Sequence, residues 1–349
     1  MKAAMLEGKN NLVVRDVETP KCPPHGLLLK VKACGLCGSD IRKIRNGSSN
    51  FKYPVLLGHE VVGTVVEADM NTRDFKVGDR LCIGSIIPCG ECYFCKKGID
   101  NLCQNAIYHS LGLYDDYQGG YAEYVALNEN MVNKGPIVKI PDEISYIEAA
   151  MVEPLTDVLN SHELIKLKEG DIAVVVGAGP IGAMHVSLLK LNGIGTTILS
   201  DISAERLSLA KKACNPEITV DSSKESLKDV IMKVTSGRGA DVVIIACSVK
   251  KAQEESLEIV RAGGDVILFG GLKEGESMIG LDSNVIHYKQ ISIHGTTGSR
   301  KKHFQEIMDA IQDKKIDVSN YATEMPLKDI NKAIELAEQG KVLKAVLIP

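Results

Sequence analysis

Four cysteines place the tightest constraint on this chain: Cys89-Gly-Glu-Cys92-Tyr-Phe-Cys95, followed by Cys103. Two-residue spacers let successive thiolates turn back onto one ion, and the longer last spacer closes a lobe around it. Zinc favours sulfur and a tetrahedron, and a structural zinc site fills all four positions with protein ligands. Buried or disulfide-bonded cysteines are the competing reading, but the spacing follows a metal pattern and not a disulfide framework. A closed site does no chemistry, so a chain that carries one is expected to hold a second, catalytic centre elsewhere.

The 349 residues exceed what a single hydrophobic core usually serves, so two domains are expected. The formal net charge of −4 and the lack of a long basic run argue against a nucleic-acid footprint. Cys22, Cys34, Cys82, Cys214 and Cys247 sit in mostly apolar contexts and read as reduced thiols, which favours a reducing, cytoplasmic setting. The opening Met1-Lys-Ala-Ala-Met-Leu-Glu-Gly-Lys lacks a sustained apolar core and does not read as a signal peptide. Apolar runs such as Ile172 to Val176 are far too short to cross a bilayer.

Up to about Val152 the pattern is of short β-type runs separated by Gly, Pro and Asp. Leu27 to Ala33, Val61 to Glu67 and the segment ending at Cys82 read as strands of a barrel-like β domain. Within it lie Cys37-Gly38-Ser39-Asp40 and, further on, Gly58-His59-Glu60. A thiolate, an imidazole and carboxylates are a ligand set for a catalytic zinc, which keeps one position open. Asp40 is placed to accept the second ring N–H of His59 and fix its tautomer.

With the four cysteines and Gly119-Gly120-Tyr121-Ala122-Glu123-Tyr124, these motifs resemble the zinc-containing medium-chain dehydrogenase/reductase superfamily of alcohol, polyol and threonine dehydrogenases. The pattern is most similar to its polyol branch, the sorbitol and galactitol-phosphate dehydrogenases. The resemblance spans essentially the whole chain. It implies a GroES-like β-barrel catalytic domain (1–152 and 288–349) and an inserted Rossmann domain with a doubly wound parallel sheet (153–287). It also implies two zincs, one in Cys89, Cys92, Cys95 and Cys103, the other on Cys37, His59 and a carboxylate. Glu60 fills the family's carboxylate position; Glu153, in Val152-Glu153-Pro154-Leu155, falls where polyol and threonine dehydrogenases carry glutamate. Which of the two binds the metal stays open.

By the same resemblance Ser39 hydrogen-bonds the substrate oxygen and begins a proton relay. Arg42 departs from the family, where histidine is common, and arginine does not shuttle protons near neutrality. Gly298 and Ser299 stand where sorbitol dehydrogenases present an Arg-Tyr pair. Arg42, Lys43 and Arg45 offer positive charge for a phosphorylated polyol. Lys344 reads either as a contact to cofactor phosphate or as a surface lysine.

In the middle of the chain, Ile172 to Val176 leads into Gly177-Ala-Gly179-Pro180-Ile181-Gly182 and an apolar helix. Strand, glycine turn and helix together mark a dinucleotide site. Gly177 permits the tight turn, Gly179 lets the backbone approach a pyrophosphate, and Gly182 lets helix pack on strand. The phosphates would sit at the helix N-terminus. Asp201 ends the next strand, where an acidic side chain accepts both ribose hydroxyls and repels a 2′-phosphate, so NAD is expected over NADP. Arg206 is the counterargument, and a helix-cap role is the alternative for Asp201. Ala246, Cys247, Phe269 and Gly270 fall at strand ends facing the cofactor crevice.

The expected function is therefore oxidation of a secondary alcohol (a polyol, a sugar alcohol or its phosphate) to a ketone, with NAD as hydride acceptor. The alternatives are an amino-acid alcohol such as threonine, or a non-catalytic zinc- or nucleotide-binding relative. A homodimer or homotetramer is expected by analogy, with no nucleic acid or membrane as partner.

Overall fold

A computed structural model describes residues 1–47, 52–70, 72, 74–106, 111–112, 119–273 and 275–349. Two compact units emerge: Met1–Thr156 with Gly298–Val318 and Ala322–Pro349, and Asp157–Thr297 with Ser319–Tyr321. Against the expected 1–152, 153–287 and 288–349, the second unit begins four residues later and ends ten residues later. Residues 288–297 stay with the second unit because strand Ser292–Gly295 adds in parallel to Val260–Leu268. Ser319–Tyr321 also returns to it: the Tyr321 hydroxyl donates to the Ala183 carbonyl at 2.9 Å and meets Ser187 Oγ at 2.7 Å.

The first unit is mainly β. One sheet runs in the order Ala322–Pro326, Lys344–Ile348, Leu27–Gly35, Glu60–Ala68, Arg80–Ile83, Ile137–Lys139, with Tyr124–Leu127 also pairing Leu27–Gly35. A smaller sheet joins Asn11–Asp16, Lys2–Gly8 and Val55–Leu56. Side chains from both sheets, among them Leu6, Leu29, Val61, Leu81 and Leu347, enclose one core. Strand register then gathers residues that are far apart in sequence. Gly35 pairs with Glu60 on one side and with Val346 on the other, so three distant segments converge at one end of the sheet.

The second unit is a six-stranded parallel sheet in the order Ile218–Asp221, Thr196–Asp201, Ile172–Val176, Ala240–Ile245, Val260–Leu268, Ser292–Gly295. Ala240–Ile245 is buried along its whole length, as befits a parallel strand covered on both faces. Asp241 anchors the lower ends of three strands: it accepts the Ile172 N–H at 2.9 Å and pairs with Arg238 and Arg261. Helix Lys250–Ile259 ends where it does because Val260 already pairs with Ala240 as strand. No helix among the described residues is long and apolar enough to cross a membrane.

Two histidines are buried inside this unit. His162 Nε2 lies 3.0 Å from His185 Nδ1, and the edge of the pair meets the Phe269 ring. Burial pushes His162 down to about 4, and burial together with His162 holds His185 well below the usual imidazole range. The folded state therefore binds fewer protons here than the unfolded chain, whose histidines titrate near 6.5. The stability contributed by keeping His162 neutral is complete above about pH 6.5 and is lost as pH falls toward 4, a loss of roughly 3 kcal/mol. Calorimetric melting between pH 7.5 and 4.5 is expected to show this decline, and a His162→Leu/His185→Leu variant to show a flatter profile.

Candidate active site

Cys37 is the N-cap of helix Gly38–Asn46, with its backbone extended at φ −86°, ψ 144°. Its carbonyl accepts the N–H groups of Asp40 and Ile41. Cys37 and Asp40 thus sit at the positive end of a helix, where negative charge is favoured. His59 follows Gly58, whose φ of +101° belongs to the left-handed region and suits glycine. Glu60 begins the strand paired to Gly35. A Cβ on Gly35 would lie 1.8 Å from Glu60 Oε2, so glycine is required there to admit the carboxylate.

These elements bring Cys37 Sγ, a ring nitrogen of His59 and a carboxylate oxygen of Glu60 within 4.8 Å of one another. His59 Nδ1 faces Asp40 Oδ1 at 3.2 Å, which leaves Nε2 toward Cys37. Asp40, Glu60 and His59 are all buried. Glu153 is buried as well, outside that close cluster, and accepts a hydrogen bond from Ser85 Oγ at 3.2 Å. The Ser39 hydroxyl lies 3.3 Å from Cys37 Sγ.

The charge of this pocket decides what it can hold. Asp40, Glu60 and Glu153 are buried carboxylates; the buried Lys344 ammonium faces Glu60, Cys37 and Glu153, and the half-buried Lys43 faces Asp40 and Cys37. Lys344 Nζ donates to Glu60 Oε1 at 2.6 Å. Burial opposes its charge, yet Glu60 and Cys37 push its pKa above the usual lysine range. At His59, burial likewise disfavours the imidazolium, but Asp40 and Cys37 drive its pKa well above normal. The field favours positive charge where the donor atoms converge. Uncompensated negative charge in the interior is costly, and the donor set of thiolate, imidazole and carboxylate suits zinc. The residues fit the metal.

The reading of Lys344 as a surface residue is overturned, since only 3% of it is exposed. Arg45 is engaged elsewhere: its guanidinium grips Glu338 through two nitrogens and Asn10 through the third. Arg42 is exposed and Lys43 half-buried. Gly298 adopts φ +57°, and Ser299 turns its hydroxyl to Thr156, 2.8 Å away, one helical turn beyond Glu153.

In the four-cysteine lobe, Sγ separations are 3.5 Å for Cys92–Cys95 and 3.9 Å for Cys89–Cys95 and Cys92–Cys103. A tetrahedron with Zn–S bonds of about 2.3 Å has S–S edges of about 3.8 Å. The N–H groups of Cys92 and Cys89 point at Cys89 Sγ and Cys103 Sγ. Backbone N–H groups, led by that of Glu91, draw the Cys89 thiol down to about 6. This lobe fits one zinc with no position left open.

The nucleotide features of the second unit gather at the carboxyl ends of its central strands. Sheet order reverses between Ile172–Val176 and Ala240–Ile245, the crevice where open α/β sheets bind ligands. Gly177 has φ +111°, and a Cβ on Gly182 would stand 1.8 Å from the Gly177 carbonyl oxygen. Nothing crowds Gly179, the N-cap of helix Pro180–Leu191, where Pro180 and Ile181 open the first turn. Asp201 accepts the Ala178 N–H at 2.8 Å and the Ser203 N–H at 2.9 Å, so it also braces both neighbouring turns. Arg206 lies in the first turn of the following helix, its N–H on Ser203 Oγ. A cavity of about 500 Å³ opens beside them, lined by Val176, Ile202, Ser222, Leu227 and Val249. Cys247 is half-buried and packs against Gly177 and Gly270. A larger groove of about 830 Å³, between Lys2 and Pro349, contains none of these residues.

Sequence reasoning missed the partners of the site: Lys344 on Glu60, Ser85 on Glu153 and Tyr121 on Asp40. Only Tyr121 left a signal, through the glycine pair before it. Removing the buried counter-charge is expected to be costly. Lys344→Met should destabilise the first unit by about 3–5 kcal/mol, and Lys344→Met/Glu60→Gln should recover most of that, as read from denaturant unfolding.

Comparison with known proteins agrees with this geometry. Residues 23–142 match the alcohol dehydrogenase GroES-like domain and residues 180–313 the zinc-binding dehydrogenase domain. An uncharacterized zinc-type alcohol dehydrogenase-like protein of Haemophilus influenzae is 33% identical over 93% of this chain and 90% of its own. D-arabitol-phosphate dehydrogenase of Enterococcus avium is 31% identical over 97% and 94%. The structure of 2R,3R-butanediol dehydrogenase from Bacillus subtilis aligns with a TM-score of 0.88 at 28% identity, over 100% of this chain and 99% of that one. The chain belongs to the zinc-dependent medium-chain dehydrogenase/reductase superfamily and is an oxidoreductase of the zinc-type alcohol dehydrogenase family.

Proposed function

We propose that this protein oxidises a secondary alcohol, a polyol or sugar alcohol free or phosphorylated, to the ketone, with NAD as hydride acceptor. The observation that carries the reading is the buried Cys37, His59 and Glu60 cluster, with Asp40 behind the histidine and the Ser39 hydroxyl beside the thiol. Relatives named for arabitol phosphate and for 2R,3R-butanediol, both of which carry secondary hydroxyls, support the substrate class. Each chain would carry two zincs, one on Cys37, His59 and a glutamate, the other on Cys89, Cys92, Cys95 and Cys103. A homodimer or homotetramer in the cytoplasm is part of the same reading.

A zinc held in the first site supplies a Lewis acid that polarises the substrate oxygen. The protein does the rest. Cys37 and His59 supply fixed donors, and the Asp40 carboxylate holds the imidazole so that Nε2 is the ligating nitrogen. Glu60, in the close cluster with Cys37 and His59, is tethered by Lys344, and Glu153 accepts from Ser85; either carboxylate would complete the ligand set. Ser39 Oγ accepts the proton of the substrate hydroxyl and passes it on to water or a ribose hydroxyl, because Arg42 has no proton-accepting role. On the nucleotide side, Asp201 presents a carboxylate already oriented by two backbone N–H groups. Its remaining lone pairs accept ribose hydroxyls and oppose a 2′-phosphate.

Absorbance of reduced nicotinamide across free polyols, polyol phosphates, threonine and simple secondary alcohols tests the reading. Activity is expected with the polyol group, and kcat/KM for NAD is expected to exceed that for NADP by roughly 100-fold. A preference for threonine or for NADP would refute the corresponding part. Metal analysis is expected to find two zincs in the wild type and one in His59→Ala. That variant should lose activity by at least about 10³-fold, several kcal/mol of transition-state stabilisation.

A further inference from the structure

The segment Gly119-Gly120-Tyr121 lies against the strand and turn that lead into His59. Backbone bonds tie the two together: Gly119 N–H to the Leu56 carbonyl at 3.0 Å, Gly120 to Gly58 at 2.8 Å and Tyr121 to Leu57 at 3.1 Å. The approach is so close that a Cβ on Gly119 would lie 2.2 Å from the Leu57 carbonyl oxygen. A Cβ on Gly58 would lie 2.8 Å from Tyr121 Cδ1, so the ring fills the space at the turn before the histidine. The Tyr121 hydroxyl then donates to Asp40 Oδ2 at 2.6 Å, while Asp40 Oδ1 faces His59 Nδ1 at 3.2 Å. Tyr121 and Asp40 are both fully buried, so no water competes for either carboxylate oxygen.

We propose that Tyr121 is a positioning residue for the catalytic metal site: its hydroxyl orients Asp40, and its ring fixes the Gly58 turn, so that His59 presents one nitrogen in one direction. Asp40 has one oxygen hydrogen-bonded to Tyr121 and the other facing His59 as a charge partner. Without the hydroxyl, the carboxylate can rotate away from His59, and the imidazole is free to change tautomer. Partners of this kind behind a metal-ligating histidine alter metal affinity by about 10–100-fold. The hydroxyl is not a ligand: it donates to Asp40, with the Gly35 carbonyl a second, longer acceptor at 3.3 Å. The glycine pair and the tyrosine thereby acquire one joint role: the glycines allow the approach, and the tyrosine delivers the hydrogen bond.

The proposal rests on Cys37, His59 and Glu60 being a zinc site, and the four-cysteine site in the same chain serves as an internal reference. Tyr121→Phe keeps the ring and removes the hydroxyl. Zinc affinity would be measured by chelator competition on the full chain, with the cobalt-substituted absorption spectrum of each site. The expected result is a loss of about 10–100-fold at the catalytic site with an altered cobalt spectrum, while the four-cysteine site keeps wild-type affinity and spectrum. Wild-type affinity and spectrum at both sites would overturn the proposal. So would weakening of both sites together with a lowered melting temperature, which would make Tyr121 a core residue only. A wild-type chain that binds one zinc alone would instead refute the zinc-site reading beneath it.

Discussion

Excess negative charge buried at one end of a β-sheet is the constraint on which the first unit depends. Asp40, Glu60 and Glu153 are withdrawn from water, with the buried Lys344 set against Glu60 and the half-buried Lys43 against Asp40. Taking carboxylates out of water costs several kcal/mol each unless they are paired or bind a cation. Everything near the site answers that cost. Gly35 gives up its side chain to admit Glu60, the strand bearing Lys344 pairs with the Gly35 strand to bring the ammonium in, and the helix after Cys37 directs its positive end at the cluster. What remains unbalanced is the charge and geometry that a divalent metal completes.

The second unit solves a different problem with backbone alone. A pyrophosphate needs N–H groups and space, and the turn at Gly177 supplies both because its φ of +111° folds the chain back sharply. Gly182 then seats the helix on the strand at a distance no side chain would permit. Asp201 joins these requirements. The carboxylate that would read the ribose is the same one that accepts the Ala178 and Ser203 N–H groups, so nucleotide choice and the shape of the phosphate turn are coupled. The two readings of Asp201, ribose acceptor and local cap, are therefore compatible uses of one side chain with several lone pairs.

Donor types were legible in the sequence because metal and nucleotide sites depend on short spacings: two residues between cysteines, one or two between glycines. Strands such as Ile172–Val176 and Thr196–Asp201 were legible for a similar reason, as short apolar runs bounded by glycine or acid. Partners were not legible. Lys344 reaches Glu60 across 284 positions of sequence, Tyr121 reaches Asp40 across 81, and Ser85 reaches Glu153 across 68. Each contact exists only through tertiary pairing, and no local pattern marks a lysine at the start of a strand as buried. The same holds for Arg45, which in sequence belongs to a basic cluster but in space is taken up by Glu338 and Asn10.

The two candidate metal sites differ in what must be folded before they exist. Cys89 to Cys103 is a continuous segment whose short loops and backbone N–H groups set the sulfurs at tetrahedral spacing. Its loop-closure cost is small, and Asp100 within it also accepts the Lys301 N–H. The site at Cys37, His59 and Glu60 is discontinuous. Its ligands come from the end of one strand, a glycine turn and the start of another strand, and its counter-charge comes from near the chain's last residue. That geometry appears only once Leu27–Gly35, Glu60–Ala68 and Lys344–Ile348 are in register. Since metal binding is linked to whatever folding creates the site, a metal at the second position stabilises the assembled sheet, whereas a metal in the cysteine lobe stabilises chiefly the lobe.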